Sequence, residues 1–184
     1  MLLVRDMRLG TPEVVVIALK NVLVATDFSE PSEAALRYGS ELARKFDATL
    51  HVLHVVDDLA AHPSTVPGGL AMDLGAVQME LEATAHDNLS SLVPEPDRTA
   101  LHAQLHVTVS SVPGSAILSY ARDVGADLII VGTHGRHGLA RLLIGSVAQH
   151  VTRLAECPVL TVRAHERDFV VVDQPQLVAH SANC

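Results

Sequence analysis

The chain has no tryptophan and few aromatic residues of any kind, with two Tyr and three Phe among 184 residues. A stacking platform for single-stranded nucleic acid needs aromatic faces, so that function is not expected. Positive charge is also short. Thirteen Lys and Arg stand against 21 Asp and Glu, a formal net charge of −8. A phosphate-backbone binder needs the opposite balance, so a nucleic-acid partner is not expected either. The two cysteines, Cys157 and Cys184, lie far apart and form no Cys-x-x-Cys pair. Neither a disulfide framework nor a zinc site follows from them, and a reducing compartment, the cytoplasm, is the expected setting. The longest apolar run near the start, Val14 to Leu19, is too short to span a bilayer and meets Lys20 and Asn21. Asp6 and Glu13 and the lack of a clean small-residue cleavage site speak against a signal peptide.

Several catalytic and nucleotide signatures are missing as well. There is no Gly-Lys-Ser/Thr, hence no Walker A loop, and no Gly-x-Gly of the dinucleotide fingerprint. A Gly-x-Ser-x-Gly elbow is absent, and Cys157, followed by Pro158 at a strand start, reads as core rather than nucleophile. No acid/base pair stands out, so no catalytic residue is assigned.

What is present is an alternation of two hydrophobic periods. Asn21 to Ala25 is a short apolar run suited to a strand covered on both faces, Leu50 to Val56 is a second apolar strand, and Asp127 to Val131 and Pro158 to Arg163 are two more strands. Leu101 to Val109 alternates apolar and polar residues, which places that strand at a sheet edge. Between them lie helical stripes. Ala35, Tyr38, Leu42 and Phe46 follow a Ser29 cap and Pro31, and Leu74, Val77, Leu81, Ala85, Leu89 and Leu92 follow a Pro/Gly loop at 62–69. A third helix runs from Pro113 through Ile117, Ala121 and Val124 to a stop at Gly125, and a fourth spans Ser146 to Ala155. Strict β-α alternation with buried strands predicts an α/β fold, a parallel sheet with helices on both faces. One domain over 20–163 is expected, with an N-terminal extension (1–19) and a C-terminal tail (164–184). Val14 to Leu19 reads as an extra edge strand or a leader, and Phe169 to Val172 as a run that could pair with a second subunit.

The most informative stretch is Gly132-Thr-His-Gly135-Arg-His-Gly-Leu-Ala-Arg-Leu-Leu-Ile-Gly145-Ser146. It bares the backbone where a strand ends and where a helix begins. Amides at a helix start bind phosphate oxygens, and glycine lets a ligand approach them. Three glycines for tight turning are the bland alternative, but the nine-residue spacing to a helix-opening Gly-Ser favours a phosphate site. Ligands of open α/β sheets lie beyond the strand C-termini, which puts Asp27, at the end of strand one, on the lip of the same crevice. Its carboxylate suits ribose hydroxyls or an adenine amine, although it could equally tighten the turn before the first helix. Arg136 and Arg141 flank the loop. A phosphate contact and a solvated surface are equal readings for Arg136, and the surface is favoured for Arg141. His51 and His54 are three apart in a strand and point to opposite faces, a poor chelate. His134 and His137 lie in a loop with no Cys or carboxylate joining them, so metal binding by protein ligands is not expected.

Val22-Leu-Val-Ala-Thr-Asp-Phe-Ser29, Leu53-His-Val-Val-Asp57 and Gly132-x2-Gly135-x9-Gly145-Ser146 together resemble the universal stress protein family over about residues 20–163. The resemblance implies a Rossmann-like, adenine nucleotide alpha hydrolase-like fold: a doubly wound five-stranded parallel sheet of order 3-2-1-4-5 with four helices. The glycine pattern is similar to that of the family's ATP-binding branch. By position it implies that Thr26 and Asp27 contact adenosine and that Val55 meets the adenine through backbone atoms. Val131, Gly132, His134, Gly135 and Arg136 then surround ribose and phosphates, while Gly145, Ser146 and Val147 hold the phosphates. It further implies ATP with Mg²⁺ or Mn²⁺ held mainly by the phosphates and water, and a homodimer through the last strand, Val159 to Val162. Two features depart from the family pattern: Ser111, where relatives often carry Gly, and the extensions at both ends.

The function expected from these observations is that of an ATP-binding, nucleotide-dependent regulator of the stress response acting on an unidentified partner. Hydrolysis is at most slow, since no general base or P-loop Lys is apparent. Two alternatives stand beside it: a slow ATP hydrolase or phosphotransfer enzyme on the same site, and a dimeric interaction module that binds no nucleotide.

Overall fold

A computed structural model describes residues 17–61, 73–133 and 145–164. The described chain runs β1 (Asn21–Thr26), α1 (Glu30–Phe46), β2 (Thr49–Val56), α2 (Leu74–Leu92), α3 (Glu95–Ala100), β3 (Gln104–Val109), α4 (Pro113–Asp123), β4 (Leu128–Gly132), α5 (Ser146–Leu154) and β5 (Val159–Val162). The strands form one parallel sheet in the order β3-β2-β1-β4-β5. Both the order and the edge position of β3 agree with the sequence reading.

The central strands are buried on both faces, which is why they read as continuous apolar runs. Along β1, Val22 and Val24 pack with Ala35 and Tyr38 of α1 and Leu89 of α2, while Leu23 faces Ile117, Leu118 and Val151 of α4 and α5. In β4, Ile130 joins the first core and Ile129 and Val131 the second. Helices α1 and α2 therefore cover one face and α4 and α5 the other. Gly39 lets α1 lie close to the sheet, because a Cβ there would come within 2.3 Å of Val24 Cγ2. Asp47 ends α1 in the left-handed conformation, φ 53°, and its N–H bonds back to the Ala43 carbonyl.

Four differences from the sequence reading stand out. Helix α3 was not anticipated, since none of its residues is buried and no apolar period marks it. It displaces the start of β3 from Leu101 to Gln104. Leu101 instead caps α3 and is buried, and His102 turns the chain at φ 48°. The expected stripe of α2 is broken at one position: Ala85 and Leu89 are buried and Leu74, Val77 and Leu92 half-buried, whereas Leu81 is 41% exposed. Ser29 occupies the N-cap of α1 but makes no side-chain cap bond. Of the segments read outside the domain, residues 17–19 carry no strand, and 14–16 and 169–172 lie outside the described residues.

Candidate functional site

The strand order reverses between β1 and β4, so their C-terminal ends open a crevice. Its first wall is the turn Thr26–Ser29. The Thr26 hydroxyl is buried, accepts the Phe28 N–H (3.0 Å) and lies 3.1 Å from the Ser32 Oγ of α1. Asp27 Oδ1 accepts both the backbone N–H (3.1 Å) and the hydroxyl of Ser29. That bond explains why Ser29 does not cap α1 with its side chain, and it gives Asp27 a turn-tightening role. Phe28 adopts φ 62°. A left-handed non-glycine residue costs about 1–2 kcal/mol, so its surroundings must hold it there. The His54 ring lies against it, centroids 4.4 Å apart.

The second wall is the end of β4. Val131 is 3% exposed with its side chain in the core, so only its backbone can face a ligand. A Cβ on Gly132 would sit 2.9 Å from the Pro31 carbonyl carbon and 3.0 Å from the Ser32 nitrogen. The missing side chain thus admits the first turn of α1 and joins the two walls. Beyond it Thr133, 2% exposed, donates its N–H to the Val162 carbonyl (2.8 Å) and accepts the Gly145 N–H at its own carbonyl. This last bond pins the start of α5 to the end of β4.

Gly145 is the N-cap of α5 with φ −55° and ψ 149°, backbone that any residue adopts, and no side chain caps the helix. The first intrahelical bond runs from Gln149 N–H to the Gly145 carbonyl (2.9 Å). The N–H groups of Ser146, Val147 and Ala148 have no carbonyl within α5 to receive them, and the helix dipole adds partial positive charge at that end. Ser146 is exposed and Val147 half-buried. An anion placed there would meet backbone donors and one hydroxyl.

The structure thus brings Thr26, Asp27, Val131, Gly132, Gly145, Ser146 and Val147 to one end of the sheet. Val55, half-buried and packed into the α4 face, follows the Thr26–His54 pair with which the β1–β2 ladder ends. His134, Gly135 and Arg136, together with His137 and Arg141, lie outside the described residues. Sequence reasoning missed Phe28, Ser32, His54 and Thr133. Of these, Thr133, a polar residue next to the apolar run of β4, and His54, a polar residue inside that of β2, left a signal to read.

Elsewhere, His51 and His54 do face opposite sides of β2. His51 lies near Tyr120 Oη (3.3 Å) and Asn21 Oδ1 (3.4 Å), whereas His54 bonds the Thr26 carbonyl. Burial pushes the His51 imidazole below its usual pKa and the Tyr120 phenol above its own. Among the described residues no group of three or more His, Cys, Asp or Glu converges as a metal site. Nor is any helix among them long and apolar enough to cross a membrane. A hollow of about 250 Å³ lined by Leu118, Arg122, Ile129, Leu154, Glu156 and Cys157 lies toward the opposite end of the sheet.

Residues 18–163 match the model of the universal stress protein family. A universal stress protein of Methanocaldococcus jannaschii is 30% identical over 150 residues, covering 81% of this chain and 85% of that one. Among solved structures, the universal stress protein UspA from Lactobacillus plantarum superposes with a TM-score of 0.68 at 26% identity, over 80% of this chain and all of that one. A universal stress protein solved in complex with cAMP shares the fold, with a TM-score of 0.51 at 22% identity, covering 79% of this chain and 98% of that one.

Proposed function

The chain belongs to the universal stress protein family, and from that premise we propose that it binds an adenine nucleotide, ATP, in the crevice between β1 and β4. The observation that carries the reading is the Gly145 N–H bond to the Thr133 carbonyl. It sets the open start of α5 beside the end of β4, within one crevice with the Thr26–Ser29 turn. The triphosphate would take the amides of Ser146 and Val147 and the Ser146 hydroxyl. The nucleoside would lie toward the lip, against Thr26, Asp27 and the backbone at Val55, with His134, Gly135 and Arg136 completing the surroundings. Thr26 and Val131 contribute main-chain atoms, since their side chains are buried. Mg²⁺ or Mn²⁺ would be held by the phosphates and water, supplying charge neutralisation when bound.

In this reading the protein is a cytoplasmic regulator in the stress response. It pairs through β5, whose Val159, Leu160 and Thr161 are only partly covered within one chain. Nucleotide occupancy would change the surface it offers a partner. Its Asp27 carboxylate is engaged by Ser29 and is not cast as a general base, so turnover is slow or absent. Equilibrium binding of labelled ATP to the purified protein tests the reading, beside a variant carrying Gly135→Val and Gly145→Val. Saturable binding lost in the variant supports it. No saturable binding by the parent protein ends it.

A further inference from the structure

We propose that His54 is a positioning residue for the nucleoside end of this crevice, holding the Thr26–Phe28 turn through two contacts made by one ring. The inference rests on the nucleotide reading above and names a residue that the reading does not use. His54 stands opposite Thr26 in the register at which the β1–β2 ladder ends. Its Nδ1 lies 2.8 Å from the Thr26 carbonyl oxygen. A carbonyl only accepts, so Nδ1 carries the proton and donates. The neutral Nδ1–H tautomer and the imidazolium both provide that proton, so the bond does not depend on the charge of the ring. Fixing the carbonyl fixes the whole Thr26–Asp27 peptide plane. With the bond trans, as all are among the described residues, the Asp27 N–H then points away from His54.

The second contact falls two residues later. Phe28, in the left-handed conformation, rests on the same imidazole at 4.4 Å between centroids, with the rings tilted by 36°. Its N–H returns to the Thr26 hydroxyl. The imidazole therefore grips the turn at both ends, on either side of Asp27. Removing it would free the peptide plane and leave Phe28 to relax toward ordinary backbone, which would swing Asp27 off the lip. The phosphate end, built from Gly145, Ser146 and Val147 at the start of α5, belongs to a different element and should be unaffected.

The test uses the full chain with His54→Ala, His54→Phe (ring kept, donor lost) and His54→Asn (an amide N–H near the position of Nδ1). ATP and inorganic triphosphate are titrated against each by calorimetry, and amide spectra of Asp27 and Phe28 are recorded without ligand. Loss of one hydrogen bond together with the ring contact predicts about tenfold weaker ATP binding for His54→Ala. Partial recovery is expected in His54→Asn and in His54→Phe. Triphosphate binding should be the same in all four proteins, which a general loss of stability would not leave untouched. The amide signals of Asp27 and Phe28 should shift most in His54→Ala. ATP binding unchanged in His54→Ala, or triphosphate binding lost in step with it, overturns the inference. Absence of ATP binding in the parent protein overturns the nucleotide reading as well, and is told apart because the failure then precedes any substitution.

Discussion

Gly132→Ala probes the contact on which both walls of the crevice depend. The added methyl carbon would stand 2.9 Å from the Pro31 carbonyl carbon, 3.0 Å from Pro31 Cβ and 3.0 Å from the Ser32 nitrogen. Comfortable carbon contacts begin near about 3.5 Å, so the first turn of α1 must retreat by roughly half an ångström. Two of the three atoms are backbone, and no rotamer change relieves them. Overpacking of this kind costs about 1–3 kcal/mol, and replacing glycine recovers about 0.4–1 kcal/mol through the unfolded chain. The net expectation is a loss of about 1–2 kcal/mol, or roughly 2–8 °C in melting temperature for a chain of this size. Ser32 bonds the Ser29 carbonyl at 2.8 Å and lies 3.1 Å from the Thr26 hydroxyl, so the retreat also disturbs the lip. Gly125→Ala is the control. Nothing lies within 4 Å of where an added Cβ would stand, but its φ of 61° makes alanine cost about 1 kcal/mol without moving α1. Urea unfolding should show both variants destabilised with unchanged m, while only Gly132→Ala weakens ATP binding. A Gly132→Ala protein as stable as the parent and with the same affinity would refute the packing argument.

Asp73→Ala removes the carboxylate that accepts the Gly75 and Ala76 N–H groups at the start of α2. A loss of about 1 kcal/mol in urea unfolding is expected, with ATP affinity unchanged. Asp127 accepts the backbone N–H groups of Asn21 and Lys20, which hold its carboxyl below the usual range. A depressed carboxyl lends stability above its unfolded pKa of about 4, and that stability drains as pH falls toward the folded value. Asp127→Asn should therefore flatten the acid limb of a stability-against-pH curve below about pH 4. Because burial lowers the pKa of His51, its ring signals should titrate below the ordinary histidine value of about 6.5. The stability held by the neutral ring is present above that value and lost as pH falls through the folded one. A His51 titration at or above the ordinary value would contradict its burial.

The sheet was legible because β1, β2 and β4 are covered on both faces and β3 on one, so alternation marked β3 as an edge, whereas the apolar run of β5 gave no sign that it is the other edge. Gly125 likewise ended α4 where expected, taking φ 61° just past its C-cap, Val124. Helix α3 was missed because it buries nothing, so no apolar period marked it, although Pro96 and acidic residues in its first turn and Arg98 in its last were cues to read. At the candidate site, the sequence reading named positions without their directions. Asp27 lies at the end of β1 as read, yet Ser29 shares its carboxylate, a bond between side chain and backbone that no periodicity records. Gly132 was read as room for a ligand, whereas on one side the room is filled by Pro31 and Ser32. His54 looked like half of a poor chelate because its partner, the Thr26 carbonyl, is 28 residues away and is set beside it only by strand register.

The most direct measurement is a crystal structure of the full chain grown with ATP and Mg²⁺. Phosphate density is expected within hydrogen-bond distance of the Ser146 and Val147 nitrogens and the Ser146 hydroxyl, with the nucleoside running toward Thr26 and Asp27. ATP ordered elsewhere on the molecule, or that end of α5 closed off by the chain's own atoms, would contradict it.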